Sequence, residues 1–309
     1  MNILITGASG FVGSNLINLF KKNKKINLVC VSTREKSEII NKNIRWIKIN
    51  KFDEEVNWSD IIKNIDVIIH LAGVAHSNLK ENDEKILKLN FLATKNFVKE
   101  SINSGIKKFI FISTVKVNGE YSLPNQRFNT KYQVNPRNIY SKYKYLNEVL
   151  LRDLFKEKKI SLAIIRSPLI YGPGVKANFR LLQKFVNYNI PIPFGSFNNI
   201  RSFVSIENLF GLIQNIIFQK KYIYDTFYVS DDDDISTNEL LDRIAYSKNK
   251  RISIISIPKT IIKFFLFITF QNSKIEKMYS NSLVDITYTK QNLSWKPNVS
   301  MIDTLKKMN

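Results

Sequence analysis

The segment NIYSKYKYLNEVL, residues 138–150, places three tyrosines and two lysines on what reads as one helix. Residues three or four apart share a helix face. Of these tyrosines only Tyr140 has a lysine four positions on, Lys144; the same step from Tyr143 reaches Asn147, and from Tyr145 it reaches Val149. An ammonium held near a phenol and away from water favours the phenolate and lowers a pKa ordinarily near 10. Tyr140 is therefore the candidate proton donor at neutral pH. Two exposed residues at a common spacing are the alternative.

A pair of this kind needs a scaffold and a reaction partner. Through residue 170 the apolar runs NILIT, INLVCVS, IRWIKIN, DVIIHLA, KKFIFIS and LAIIRS alternate with longer amphipathic segments. Short buried strands with intervening helices predict a parallel sheet covered on both faces. Beyond residue 171 glycines and prolines cluster and helical patterns dominate, with FVSIENL and DTFYVS as isolated strand-like runs. This predicts a domain over 1–170 and a smaller lobe over 171–309, with strands near 200–206 and 225–230 returning to the first domain or its edge. The acidic run Asp231–Asp234 reads as a loop leading into the helix STNELLDRIAY.

Between the first strand and the next helix, ITGASGFVGSNLINLF carries Gly7, Gly10 and Gly13. Glycines there allow a tight turn and close backbone approach, and the helix N-terminus offers unpaired N–H groups to a dinucleotide pyrophosphate. The spacing GxxGxxG is a variant of the commoner GxGxxG, and a plain structural turn is the alternative. An acidic side chain at the end of the second strand would bond the ribose 2′-hydroxyl of NAD. Here VCVSTREK puts Ser32 or Thr33 at that place and Arg34 after it, a pattern suited to a 2′-phosphate, with Glu35 close by. The cofactor expected is NADP(H), with NAD(H) as the alternative.

Composition limits the other classes. The chain has 309 residues, 44% apolar and 12% aromatic, enough for a substantial core. The single cysteine, Cys30, excludes an internal disulfide, and with His70 and His76 as the only histidines no metal site is expected. The formal charge of +21 is spread among asparagines and isoleucines, not gathered into a basic arm, so no nucleic-acid partner is expected; a positive field suits an anionic small molecule. MNILITGASG has no signal-peptide pattern, which predicts a cytoplasmic protein. TIIKFFLFITF, 260–270, is interrupted by Lys263 and falls short of the roughly 20 apolar residues of a spanning helix. Peripheral contact with an anionic membrane is the lesser alternative to burial of that stretch.

Taken together, these motifs resemble the extended short-chain dehydrogenase/reductase family, the NAD-dependent epimerases, dehydratases and reductases of nucleotide sugars, over nearly the whole chain. TGASGFVG resembles the family's cofactor turn, HLAG at 70–73 its fourth-strand motif, and Tyr140-x-x-x-Lys144 its catalytic pair; FISTVKVNG resembles the segment carrying a catalytic serine or threonine, which implies Thr114, beside Ser113. The resemblance implies a Rossmann-type doubly wound parallel sheet with a smaller C-terminal α/β substrate-binding lobe. It implies cofactor contacts at Gly7, Ser9, Gly10, Phe11, Val12, Gly13, Ser32, Arg34, Asn50, Asp53, Leu71, Ala72, Gly73, Asn90, Tyr140, Lys144 and Pro168. Asn50 replaces a more usual aspartate. Substrate contacts are implied at Thr114, Lys116, Asn178, Arg201 and Asp285, with Arg201 suited to a nucleotide diphosphate and a structural salt bridge as its alternative. A homodimer is implied as well.

STVKVNGE, YGPGVKANF and VSDDDDIST look most like the bacterial UDP-glucose 4-epimerase-like subgroup that includes reductases of UDP-4-keto-6-deoxy-N-acetylhexosamines. The activity implied is NADPH-dependent reduction to UDP-N-acetylquinovosamine or UDP-N-acetylfucosamine for O-antigen or capsule synthesis. Leu169, where epimerases commonly have an asparagine, and the missing acid on the second strand point to reduction. The alternatives are an NAD-dependent 4-epimerase of UDP-glucose or UDP-N-acetylglucosamine, and a non-catalytic NADP-binding sensor or scaffold. His70 is expected to face a loop or the cofactor, His76 and Lys116 the substrate or solvent, and Cys30 the interior of a strand.

Overall fold

The computed structural model describes residues 1–35, 42–53, 55–73, 84–188, 191, 199–257 and 279–309, with backbone alone at 84–87, 89, 177 and 178. His76 and the apolar stretch 260–270 lie outside the described residues. Among the described residues no helix is long and apolar enough to cross a membrane.

The six apolar runs of the first half form β1 (Asn2–Thr6), β2 (Asn27–Ser32), β3 (Ile44–Lys48), β4 (Val67–His70), β5 (Lys108–Thr114) and β6 (Ser161–Ser167). Their pairings are all parallel, in the order β3-β2-β1-β4-β5-β6. Every residue of β4 and β6 is buried, as expected where helices cover both faces of a sheet. DTFYVS forms β10 (Tyr224–Tyr228), which returns to the sheet edge beside β6 and completes seven strands. The order reverses between β1 and β4, and at such a point the carboxyl ends of neighbouring strands leave a crevice for a ligand.

The helices α1 (Phe11–Phe20), α2 (Glu84–Asn103) and α3 (Ile139–Phe155) connect these strands. Asn138 starts α3 with a capping box: its side chain accepts from the Ser141 amide at 2.8 Å, and the Ser141 hydroxyl accepts from the Asn138 amide. The cap fixes where the helix begins and thereby puts Tyr140 in its first turn. Against the sheet, Trp58, Phe97, Phe109, Leu151 and Phe155 belong to a continuous apolar cluster.

Contacts divide the chain into two compact units, Met1–Val117 with Val134–Ser167 and Leu212–Phe227, and Asn118–Gln133 with Pro168–Gly211 and Tyr228–Asn309. The division is interleaved along the chain. β10 covers the open edge of β6. In the second unit, 281–285 runs between 122–128 and 200–202, with bridges Phe128 to Val284 and Arg201 to Ser282.

That unit also contains β7 (Leu169–Tyr171) parallel to β9 (Phe203–Ser205), and β8 (Ile200–Arg201) antiparallel to β11 (Ile235–Ser236). FVSIENL is thus a strand running directly into α5 (Ile206–Phe218), not a strand throughout. α4 (Ala177–Asn187), α6 (Thr237–Ser247), α7 (Thr287–Leu293) and α8 (Met301–Lys306) complete it.

Phe97 packs against Trp58 at 4.5 Å and Phe109 at 6.1 Å between ring centroids. Phe97→Ala should cost about 3–5 kcal/mol, read as a lower urea midpoint; an unchanged midpoint would show that this cluster does not hold the sheet.

Candidate active site

At the β1–β4 junction Gly7 has φ +67°, and a Cβ on it would meet Ala72 N at 2.9 Å. A Cβ on Gly13 would lie 2.5 Å from Gly7 O and 2.8 Å from Ala8 Cα. These two glycines therefore let α1 and the end of β4 close on the turn. Gly10 is the N-cap of α1 and no side chain caps that helix, so its first amides stay open on the side of the turn. Open amides at a positive helix end fit a dinucleotide pyrophosphate.

Thr6 locks this junction. Its Oγ1 accepts from Leu71 N at 3.2 Å and Ala72 N at 3.1 Å, so its proton goes to His70 Nδ1 at 2.8 Å. That assigns the other proton of the imidazole to Nε2, which donates to Thr94 Oγ1 at 3.3 Å. His70 is fully buried among the rings of Phe52, Phe97, Phe109 and Phe111. Burial holds its pKa at about 3, with Lys144 adding to the shift. The expected loop-facing imidazole is instead a neutral core residue that carries two hydrogen bonds.

At the end of β2, Ser32 is buried; its Oγ donates to Ser9 Oγ at 2.6 Å and accepts from Arg34 N at 3.0 Å. Arg34 is exposed, and Glu35 turns to Lys48 at 3.1 Å. Asn50 is exposed and Asp53 half-buried after β3, where the Asp53 carboxylate accepts from Glu55 N. Phe11 and Val12 lie half-buried in the first turn of α1, Gly73 is exposed beyond β4, and Asn90 is half-buried on α2.

Thr114 ends β5 half-buried, and its Oγ1 accepts from Lys116 N at 3.3 Å. Ser113, by contrast, is buried and donates to Glu148. Of the two adjacent hydroxyls, then, Thr114 is the one with access. Lys144 Nζ donates to the Ile112 carbonyl at 2.9 Å and stands 4.6 Å over the Phe111 ring. A Cβ on Gly73 would lie 3.9 Å from that Nζ, so the ammonium stands at the end of β4.

The expected lowering of the Tyr140 pKa is not what this arrangement produces. Burial pushes the phenol up to about 12, and burial also holds Lys144 at about 8, against the opposing pull of Glu148. Glu148 escaped the sequence reading, although one more four-residue step from Lys144 reaches it.

The remaining expected residues belong to the second unit. Pro168 is buried and Leu169 is 43% exposed. Asn178 lies in the first turn of α4, with its side chain outside the description. Burial holds the Arg201 guanidinium below its ordinary range while the Glu120 charge opposes the shift. Asp285 accepts from Thr287 N at 2.8 Å at the start of α7.

Compared with known proteins, the chain matches the family model of the NAD dependent epimerase/dehydratase family over residues 3–217. A UDP-glucose 4-epimerase of Vibrio cholerae is 36% identical over 310 residues, covering 96% of this chain and 90% of that protein. A dTDP-4-dehydro-6-deoxyglucose reductase of Escherichia coli is 26% identical over 329 residues, covering 99% and 96%. Among solved structures, UDP-glucuronic acid 4-epimerase from Bacillus cereus in complex with NAD has the same fold, with a TM-score of 0.80 at 21% identity over 99% of this chain and 97% of that one.

The buried imidazole makes stability depend on acid. An unfolded His70 titrates near 6.5 and the folded one near 3, so only the unfolded chain binds a proton between them. This contribution is complete above pH 6.5 and is lost progressively as the pH falls toward 3. Urea midpoints measured over that range should fall more steeply for the natural chain than for His70→Gln; parallel curves would remove the histidine from the account.

Proposed function

The chain belongs to the NAD dependent epimerase/dehydratase family, and we propose that this nucleotide-sugar enzyme is an NADPH-dependent reductase. Its substrate would be the 4-keto group of a UDP-4-keto-6-deoxy-N-acetylhexosamine, and its product UDP-N-acetylquinovosamine or UDP-N-acetylfucosamine. The observation that carries this reading is the end of β2. Ser32 and the exposed Arg34 stand where a carboxylate would bond a ribose 2′-hydroxyl, and the nearby acid Glu35 is paired with Lys48. A guanidinium suits a 2′-phosphate.

NADPH, when bound, supplies hydride to C4 of the sugar. Tyr140 would give its phenolic proton to the C4 oxygen and recover it from solvent, so that ketone, hydride and proton make the alcohol. A phenol pushed up to about 12 holds at neutral pH the proton that reduction consumes. Epimerisation needs the same group to begin as the phenolate, the form that burial disfavours. Thr114 would hydrogen-bond the C4 oxygen, and Lys144, held by the Ile112 carbonyl, would hold the nicotinamide ribose. In the second unit, Arg201 and Asn178 would bind the diphosphate and Asp285 the uridine ribose, with an Arg201 fork matched to phosphate oxygens.

The second reading is a UDP-glucose or UDP-N-acetylglucosamine 4-epimerase with resident NAD, favoured by the relative from Vibrio cholerae. We also propose a homodimer through α3, whose Leu146 and Val149, three residues apart, are each 45% exposed. Light scattering should then give twice the 36.0 kDa chain mass, and a monomer would refute it.

The deciding assay follows NADPH absorbance with UDP-4-keto-6-deoxy-N-acetylglucosamine. Stoichiometric oxidation is expected, and Tyr140→Phe should lower turnover by about 10²–10⁴-fold with NADPH binding retained. No oxidation, with tightly held NAD and interconversion of UDP-N-acetylglucosamine with its C4 epimer, would establish the epimerase.

A further inference from the structure

The buried face of α3 carries Tyr140, Lys144 and Glu148 at successive four-residue steps. The Glu148 side chain is 2% exposed, and its partner Arg166 is 9% exposed. Arg166 Nε donates to the two carboxylate oxygens at 3.1 and 3.2 Å, and Nη2 donates to Oε2 at 2.5 Å. Ser113 donates its hydroxyl to Oε1. Sheet register places Ser113 directly beside Arg166. One carboxylate thus ties α3 to both β5 and β6, and the residue on β5 next to its anchor is Thr114.

A buried ion pair is a weak stabiliser, because desolvation offsets most of the attraction, and an apolar pair of the same shape holds a core as well. Stability alone therefore does not account for a carboxylate at 148. One turn toward the helix start, Lys144 reaches the Ile112 carbonyl, so α3 anchors Ile112 and Ser113 in succession and leaves Thr114 open.

We infer that Glu148 is a positioning residue: its carboxylate keeps Lys144 charged on the Ile112 carbonyl and, through Ser113, fixes the strand end that presents Thr114. The catalytic part of this statement rests on the roles proposed above for Lys144 and Thr114. The groups facing Lys144 agree with it. From β4 comes His70, which is neutral; from β5 come Phe111, Ile112 and Thr114, which do not titrate; from β6 comes Arg166, paired with Glu148; and α3 itself adds Tyr140, also neutral. On α2, which packs against α3, Lys88, Lys95 and Lys99 are exposed and Glu100 is half-buried. Burial draws the Lys144 pKa down to about 8, and Glu148 is the group that resists. Removing that charge lowers the value further, and the Arg166 cation left behind acts in the same direction.

The test is the titration of Lys144 itself, followed by the NMR shift of its Cε in the labelled full chain and assigned by its disappearance in Lys144→Arg. In Glu148→Gln the midpoint should fall by about one pH unit or more, and in Glu148→Asp, which keeps the charge, it should stay near the natural value. The alkaline limb of kcat should move to lower pH by the same amount while KM for NADPH changes little. Should Glu148→Gln fail to fold, the double variant E148M/R166M removes the pair together and is expected to show a smaller fall in the same direction, because the Arg166 cation goes with the carboxylate. A folded Glu148→Gln or E148M/R166M with an unmoved Lys144 midpoint overturns the inference. A moved midpoint in an enzyme that never oxidises NADPH upholds Glu148 and refutes the reductase instead.

Discussion

Thr6 Oγ1 accepts two amides from the end of β4 and gives its proton to His70, so a single hydroxyl fastens β1 to β4 where the strand order reverses. The glycine turn, the open first turn of α1 and the end of β4 all take their positions from this junction. A Cβ at Gly7 or Gly13 would force backbone apart there, which is why the close approach depends on residues without side chains. Parallel pairing does the rest, since it brings the carboxyl ends of β1, β2, β4 and β5 to one edge.

The second unit is held differently. Its strands are only two or three residues long, too short for ladder hydrogen bonds to carry it alone. The acidic run makes up the difference by spreading its charges over separate elements. Asp231 accepts from Tyr171, Ser205 and Asn208; Asp232 pairs with Lys290, Asp233 with Arg243, and Asp234 with Arg127 and Ser202. Desolvation raises the pKa of the half-buried Asp231 despite those donors. Exposed pairs of this kind are individually weak. Their effect here is to fix which segments lie side by side, notably 281–285 against the strand that carries Arg201.

Around α3 the same physics serves chemistry. A helix laid on a sheet must bury one face, and this face contains a phenol, an ammonium and a carboxylate. Burial disfavours the charged forms of the first two, which pushes Tyr140 up to about 12 and draws Lys144 down to about 8. Arg166 and Ser113 satisfy the Glu148 carboxylate. Neighbouring groups on one helical stripe are thus held by partners that β5 and β6 supply.

The amino-acid sequence by itself determined the parallel sheet, the glycine turn and the Tyr140–Lys144 spacing, because apolar runs, glycine positions and helical steps are local properties of the chain. It also placed Ser32 and Arg34 at the end of the second strand. Tertiary structure alone decided which of Ser113 and Thr114 is accessible, since that depends on Glu148 arriving from another element. It reversed the expected shift at Tyr140, because burial of the phenol depends on what the rest of the chain packs around it. It also made His70 a core residue, as partners distant in the chain supplied the hydrogen bonds that it required.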